Sequence, residues 1–395
     1  SPPRISVESL GQPQMGDSTG DAFGRGGLYG GIAGIFSDML GYHTVYGVVQ
    51  AQGQFDEFGF STAYINQRRR WNYGVAAQRV PAVYGFVQEG LDPDEENVYL
   101  RQFVRARFFD TSLQGLAQYP FSRAQRVEFR AGARRIAQDL QLIEQRFALD
   151  ASGVVVGVFE PEERTEEGPA FNLFEGTAAL VYDNALTGYT SPLAGQRYRF
   201  EISPTFGDIR YTQAVADYRR YFLLRPFTFA VRGLHFGRYG ADAEADAEGN
   251  RYFNDIYLGQ SQLLRGYTDV YSRCRNQLGG AGECDVLEQL LGSRIGVVSA
   301  ELRVPVIRQL VVGNFGLPPV EGIAFVDAGT AWSRGTRPAF QRGLSDDPEE
   351  RGFLTSAGVG GRINLLGFAI LEVDYVNGFE SDRGWHWEFA LQPGW

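Results

Sequence analysis

Few side chains in this sequence are of types that do covalent chemistry, and those few are scattered. Histidine occurs only at His43, His235 and His386, and no G-x-S-x-G elbow sets a serine beside a base. A nucleophile with its general base is therefore absent from the reading, and the chain is taken not to be an enzyme. Cys274 and Cys284 stand ten positions apart in one loop-like stretch, with no histidine near enough for a zinc site. In an oxidising compartment such a pair is expected to form a local disulfide. The acidic run Asp242, Glu244, Asp246 and Glu248 lacks the ligand spacing of an EF-hand and reads as a solvated loop. No cofactor and no metal is expected. What remains is ion-pair chemistry. All 37 basic residues are arginine, whose planar fork bonds carboxylates as a lysine cannot. Arg265 sits in Leu263–Leu264–Arg265–Gly266–Tyr267, and downstream lie the carboxylates Glu301 and Asp327.

The elements that position these groups read as strands, because period-2 alternation puts every second side chain on one face. Tyr198, Phe200 and Ile202 oppose Arg197, Arg199 and Glu201; Trp385, Trp387, Phe389 and Leu391 oppose His386, Glu388 and Gln392. The same count puts Glu301 and Asp327 on the polar face, with Val298, Leu302, Val304, Val326 and Trp332 on the other. Arginines and carboxylates share the polar face, as Arg101, Arg105, Arg107, Glu372 and Asp374 illustrate. That pattern suits a water-filled lumen with lipid against the apolar face. Closure would satisfy every backbone group, as lipid demands.

Composition agrees. Aromatics make up 14% of 395 residues and glycine counts 50, which fits short strands, tight turns and rings at membrane interfaces. No stretch approaches the ~18 uncharged apolar residues of a membrane helix, so a helical membrane protein is excluded. A net charge of −10 argues against a nucleic-acid partner. Roughly sixteen to eighteen strand candidates follow one another from Tyr29 onward. Polar inserts interrupt them at Glu89–Asn97, Glu160–Pro169, Ala241–Asn250, Arg273–Leu291 and Arg334–Arg351, while Asn66–Trp71 and Asn364–Gly367 are tight. Residues 1–28 are rich in proline, glycine and polar types and read as a linker or periplasmic lead-in, with the barrel at 29–395. Ser1 follows no signal segment, and the chain is read as the tail of a longer precursor.

An ordered set of motifs carries a resemblance. Leu263–Tyr267 is followed by Ala300–Glu301–Leu302–Arg303–Val304–Pro305, then by Phe325–Val326–Asp327–Ala328–Gly329–Thr330–Ala331–Trp332, and the chain ends Trp387–Glu388–Phe389 to Trp395. With the turn-like stretch Tyr182–Arg197, this resembles the bacterial surface antigen superfamily of BamA- and TamA-type barrels, most sharply over Phe171–Trp395. The resemblance implies an all-β, closed antiparallel transmembrane barrel of about sixteen strands. It also implies a long loop folded into the lumen with Arg265, Gly266 and Tyr267 at its tip, bonded to Asp327, Glu301 or both. Trp387, Phe389 and Trp395 would form the C-terminal barrel signal. Residues 1–28 are too short for the periplasmic POTRA domains that such barrels carry. Phe36–Leu40 and Phe55–Phe60 are similar to barrels attached to TolB-like β-propellers.

These readings converge on a barrel of the bacterial outer membrane, a module that anchors a larger envelope protein and whose lumen is gated by the inward loop. The alternative is an insertase or protein-translocation pore with a lateral seam. Expected partners are outer-membrane lipid and lipopolysaccharide, together with periplasmic or surface proteins, and no nucleic acid.

Overall fold

The structure is a computed structural model that describes residues 5–10, 14–18, 27–53, 57–92, 95, 97–245, 249, 251–276, 281–307, 310–312, 315–365, 367 and 369–393. The chain divides into two compact units. One comprises residues 1–119, 129–176 and 205–209, and the other residues 120–128, 177–204 and 210–395.

Residues of the first unit form an antiparallel meander. Its strands are β1 (Ile5–Leu10), β2 (Gln14–Ser18), β3 (Gly27–Asp38), β4 (His43–Gly53), β5 (Phe58–Asn66), β6 (Asn72–Leu91) and β7 (Val98–Pro120). Then come β8 (Gln125–Leu149), β9 (Val155–Val158) and β10 (Glu162–Asp183), most of whose residues lie in this unit. Ladders run without register breaks from β3 to β7, as in Phe36↔Val45, Val45↔Tyr64, Tyr64↔Val75 and Val75↔Gly115. Where a linker was expected, β1 and β2 both pair with β3. The expected insert Glu160–Pro169 is likewise mostly strand, because β6, β7, β8 and β10 reach 20 to 25 residues. About 9–11 suffice to cross a bilayer. Charged pairs brace the excess length, such as Arg101–Glu89 at 2.5 Å and Arg107–Asp139 at 2.6 Å.

The second unit carries β11 (Leu186–Thr187), β12 (Pro192–Gly207), β13 (Tyr211–Leu224), β14 (Phe227–Tyr239), β15 (Ile256–Tyr257), α1 (Val270–Arg275), α2 (Ala281–Leu290), β16 (Leu291–Gly292) and β17 (Arg294–Ile307). The hairpin β18 (Leu310–Val312) and β19 (Phe315–Leu317) precedes β20 (Val320–Trp332), β21 (Arg337–Arg342), β22 (Glu350–Leu365), β23 (Ala369–Gly378) and β24 (His386–Pro393). Antiparallel ladders join β13, β14, β17, β20, β22, β23 and β24 in that order. Short β21 runs parallel to the start of β22. Connections at one end of this unit are long, notably 240–293 and 333–349; at the other, 225–226 and 366–368 are short.

The main sheet counts twenty strands among the described residues, not about sixteen. The excess consists of short pieces: β1 and β2 share β3 as partner, and β9, β11 and β21 are appended to the ends of longer strands. Two helices also stand where a polar insert was expected. In α2, Val286 and Leu290 lie one turn apart and are both buried, so one stripe of the helix finds a core.

Burial is inverted relative to a water-soluble sheet. Val326 is 57% exposed, while its neighbour Asp327 is 1% exposed. Val298, Leu302, Trp387, Phe389 and Leu391 are exposed, whereas Glu301, Arg303, Glu372, Asp374, His386 and Glu388 are buried. An apolar face this extensive is stable only against an apolar solvent.

Candidate functional site

Arg265 comes from the long connection between β14 and β17. The inner face of β17, β20 and β22 is apolar near the long-loop end and charged farther along. Leu258, Leu264, Tyr267, Val270, Val286 and Leu290 of the connection pack on Ile295 and Val297 of β17, Ala331 of β20 and Leu354 of β22. That core seats the loop on the sheet. A disulfide, Cys274–Cys284, joins α1 to α2. Glu244 was read as part of a solvated acidic loop. Instead it accepts bonds from Ser293 Oγ at 2.6 Å and the Arg334 amide at 2.9 Å, tying the start of the connection to the sheet rim.

The guanidinium reaches one step deeper than the apolar core. Arg265 Nε and Nη2 donate to the two oxygens of Asp327 at 2.7 and 2.9 Å. Nη1 lies 2.9 Å from Glu301 Oε1 and 3.3 Å from Glu372 Oε1. Phe325, two residues before Asp327 and so on the same face, places its ring centroid 3.5 Å from the guanidinium carbon. Two further arginines complete the cluster. Arg362 bonds Glu301 at 3.0 Å and Glu372 at 2.9 Å, and Arg303 bonds Glu301 at 2.6 Å. Three arginines thus balance three carboxylates, all six buried. A buried charge without a partner costs several kcal/mol, so the network holds together only as a set.

The tip is held by its backbone as well. Gly266 has φ +89, and its amide donates to Glu388 Oε2 at 3.0 Å. Thr268 Oγ1 donates to Glu388 Oε1 at 2.6 Å. The Tyr267 hydroxyl donates to the Thr355 carbonyl at 2.7 Å and also meets Glu380. Burial and the Glu380 carboxylate push the Tyr267 phenol well above its ordinary range, so it stays a donor. Below the tip lies a cavity of about 460 Å³, lined by Arg219, Arg232, Arg303, Ser191 and Gln262 among others.

Arg265, Gly266, Tyr267, Glu301 and Asp327, singled out in the sequence, therefore lie together. Trp387 and Phe389 lie instead on the outer apolar face of β24, and Trp395 falls outside the described residues. Sequence reasoning left Arg303, Arg362, Glu372 and Glu388 out of the site. The tight turn after Asn364 held the signal for one pair, since counting outward from it sets Arg362 opposite Glu372.

An antiparallel sheet with an exposed apolar face and a buried charged face is the pattern of outer-membrane β-barrel proteins. The Omp85 superfamily domain matches residues 51–389, and the chain belongs to that family. Among solved structures it is similar to BamA from Haemophilus ducreyi lacking POTRA domains 1–3, with 12% identity and a TM-score of 0.47, over 97% of this chain and 75% of that one. It is also similar to CdiB from Acinetobacter baumannii, with 12% identity and a TM-score of 0.40, over 100% of this chain and 66% of that one. For CdiB from Escherichia coli the values are 11% and 0.44, over 99% and 66%. The chain thus spans just under two thirds of either CdiB. No curated protein matches.

Proposed function

We propose that the long strands close into a transmembrane barrel whose lumen is gated by the loop bearing Arg265, and that this barrel anchors a larger envelope protein in the outer membrane. The loop-borne guanidinium gripped by wall carboxylates carries the reading: a gate needs a latch that is strong when made and can be released as a unit. By the asymmetry of the second unit, the long connections face outward and the short turns face the periplasm. Outer-membrane lipid and lipopolysaccharide would meet the apolar face, and periplasmic or surface proteins would engage the ends. The barrel is read as a conduit or anchor rather than an enzyme.

Planar-bilayer recording tests the gate. The parent protein is expected to conduct little, and Arg265→Ala to show frequent large openings. Indistinguishable conductance in the two would defeat the gating reading. For the anchor, a periplasmic reporter fused ahead of Ser1 should fractionate with outer membranes.

A second reading, an insertase or translocation pore opening at a lateral seam, is favoured by β24. This last strand has 8 residues against 16 in β22, so its ladder on β23 is among the shortest between the longer strands. A disulfide staple between the first and last strands of the barrel should then abolish transport while leaving the loop latch intact.

A further inference from the structure

The turn between β5 and β6 in the first unit carries two cations, Arg68 and Arg69, that no carboxylate among the described residues neutralises. Residues 67–71 join β5 to β6 and set Arg68, Arg69 and Arg70 in succession, all exposed. Arg68 and Arg69 have no ion-pair partner among the described residues. Arg70 lies over the Tyr119 ring at 4.8 Å, and Trp71 packs on the same ring at 5.0 Å. The nearby carboxylate, Asp38, is occupied by the His43 amide at 3.0 Å.

This turn is held in shape from below. Buried Asn66 donates to the Tyr73 hydroxyl at 3.1 Å, and its carbonyl accepts the Arg68 amide at 3.0 Å. The Gln67 amide donates to the Tyr42 carbonyl at 2.7 Å, which ties the turn to the adjacent one at 39–42. There Met39 and Leu40 stand 96% and 72% exposed. By register, Tyr73, Val75 and Leu113 share one face, and all three are exposed. An outward apolar column therefore ends in a ring of hydroxyls and indole, then in a row of arginines. That is the order of environments met on leaving a bilayer: hydrocarbon, interface, headgroup.

We propose that the Arg68–Arg70 turn binds the phosphate of an anionic glycerophospholipid in the leaflet that this end of the first unit meets, with Met39 and Leu40 dipping among its acyl chains. Guanidinium forks match phosphate oxygens bidentately, and a zwitterionic lipid would cancel the attraction with its own cation. The proposal rests on the barrel reading.

Native mass spectrometry of the full chain in detergent tests it, with phosphatidylglycerol, phosphatidylcholine and inorganic phosphate as probes. The parent protein should retain phosphatidylglycerol in preference to phosphatidylcholine. Arg68→Gln/Arg69→Gln should weaken that retention on the order of tenfold. Arg69→Gln alone, at an exposed side chain, should give a smaller loss, and Arg337→Gln at another exposed arginine none. Equal retention of the two lipids, no effect of the double substitution, or displacement by phosphate as readily as by lipid would each overturn the proposal. A protein without heat-modifiable gel migration would overturn the barrel reading and this proposal together. A heat-modifiable protein with no lipid preference overturns this proposal alone.

Discussion

Gly266 and Gly378 meet backbone to backbone. A Cβ on Gly266 would stand 2.8 Å from the Gly378 nitrogen, and one on Gly378 would stand 2.6 Å from the Gly266 carbonyl oxygen. The loop tip can therefore reach Glu388 only because the wall is bare at the end of β23. Gly378→Ala should push the tip off its seat at a cost of roughly 1–3 kcal/mol, the usual range for overpacking. Gly266 faces the further obstacle of its positive φ, so Gly266→Ala should cost more. Protease nicking of residues 251–290 reads the displacement directly, and equal resistance in parent and both variants would contradict the close approach.

Removing the latch is the harsher change. Arg265→Ala removes the cation that holds both Asp327 oxygens, with no other ion-pair partner of Asp327 among the described residues, and strips one of three cations from Glu301. For a site shielded from water the cost is on the order of 3–5 kcal/mol, and water entering the cavity below would reduce it. Arg265→Lys should rescue only in part, since an ammonium cannot take both Asp327 oxygens in one plane or lie flat on Phe325. Heat-modifiable migration provides the scale: parent highest, lysine variant between, alanine variant lowest.

The fold class was legible because alternation survives in nearly every strand of the second unit: Val326 beside Asp327 states the two solvents in adjacent residues. The latch carboxylates were legible for the same reason. The arginine was legible only through its motif, since no periodicity tells where a loop tip will land. Glu388 and Glu380 could not be found that way, because they meet the loop through tertiary contacts across more than a hundred residues. The helices were missed because the ten residues of α2 resemble any polar insert until Val286 and Leu290 have a core to face. Strand count was underestimated because short pieces such as β9, β11 and β21 add to the ends of longer strands, and stretches of two to six residues carry too little alternation to detect.

The Cys274–Cys284 bond closes a ten-residue separation around the junction of α1 and α2. A cross-link of that span is worth roughly 2–3 kcal/mol against the open loop. Because α2 supplies Val286 and Leu290 to the apolar core that seats the loop, reduction should loosen the seat of Arg265 without touching the latch itself. Intact-mass measurement with and without reductant should differ by two hydrogens per chain. Two thiols open to alkylation in non-reduced, outer-membrane-derived protein would sink the assignment.

The last prediction separates a lipid-facing sheet from an ordinary one. Val326 points away from the latch and is 57% exposed, and Phe389 on β24 is 70% exposed. In water, replacing either by arginine at an exposed strand position would change stability little. In a bilayer the same change carries a desolvation cost of about 2–4 kcal/mol at the midplane, falling to about 0–1 kcal/mol near the interfaces. Val326 lies seven residues into the thirteen of β20, at its centre, whereas Phe389 lies in the terminal strand with fewer ladder bonds to absorb the strain. Val326→Arg is therefore expected to lower folding yield into vesicles steeply, and Phe389→Arg to impair insertion as well. Ala300→Arg, beside Glu301 on the same outward face as Val326, should behave like Val326→Arg, because the two residues are register partners. Vesicle-refolding titrations in urea measure all three. Near-parental stability for both Val326→Arg and Ala300→Arg would mean that this face meets water, and the outward-apolar account of the sheet would fail with it.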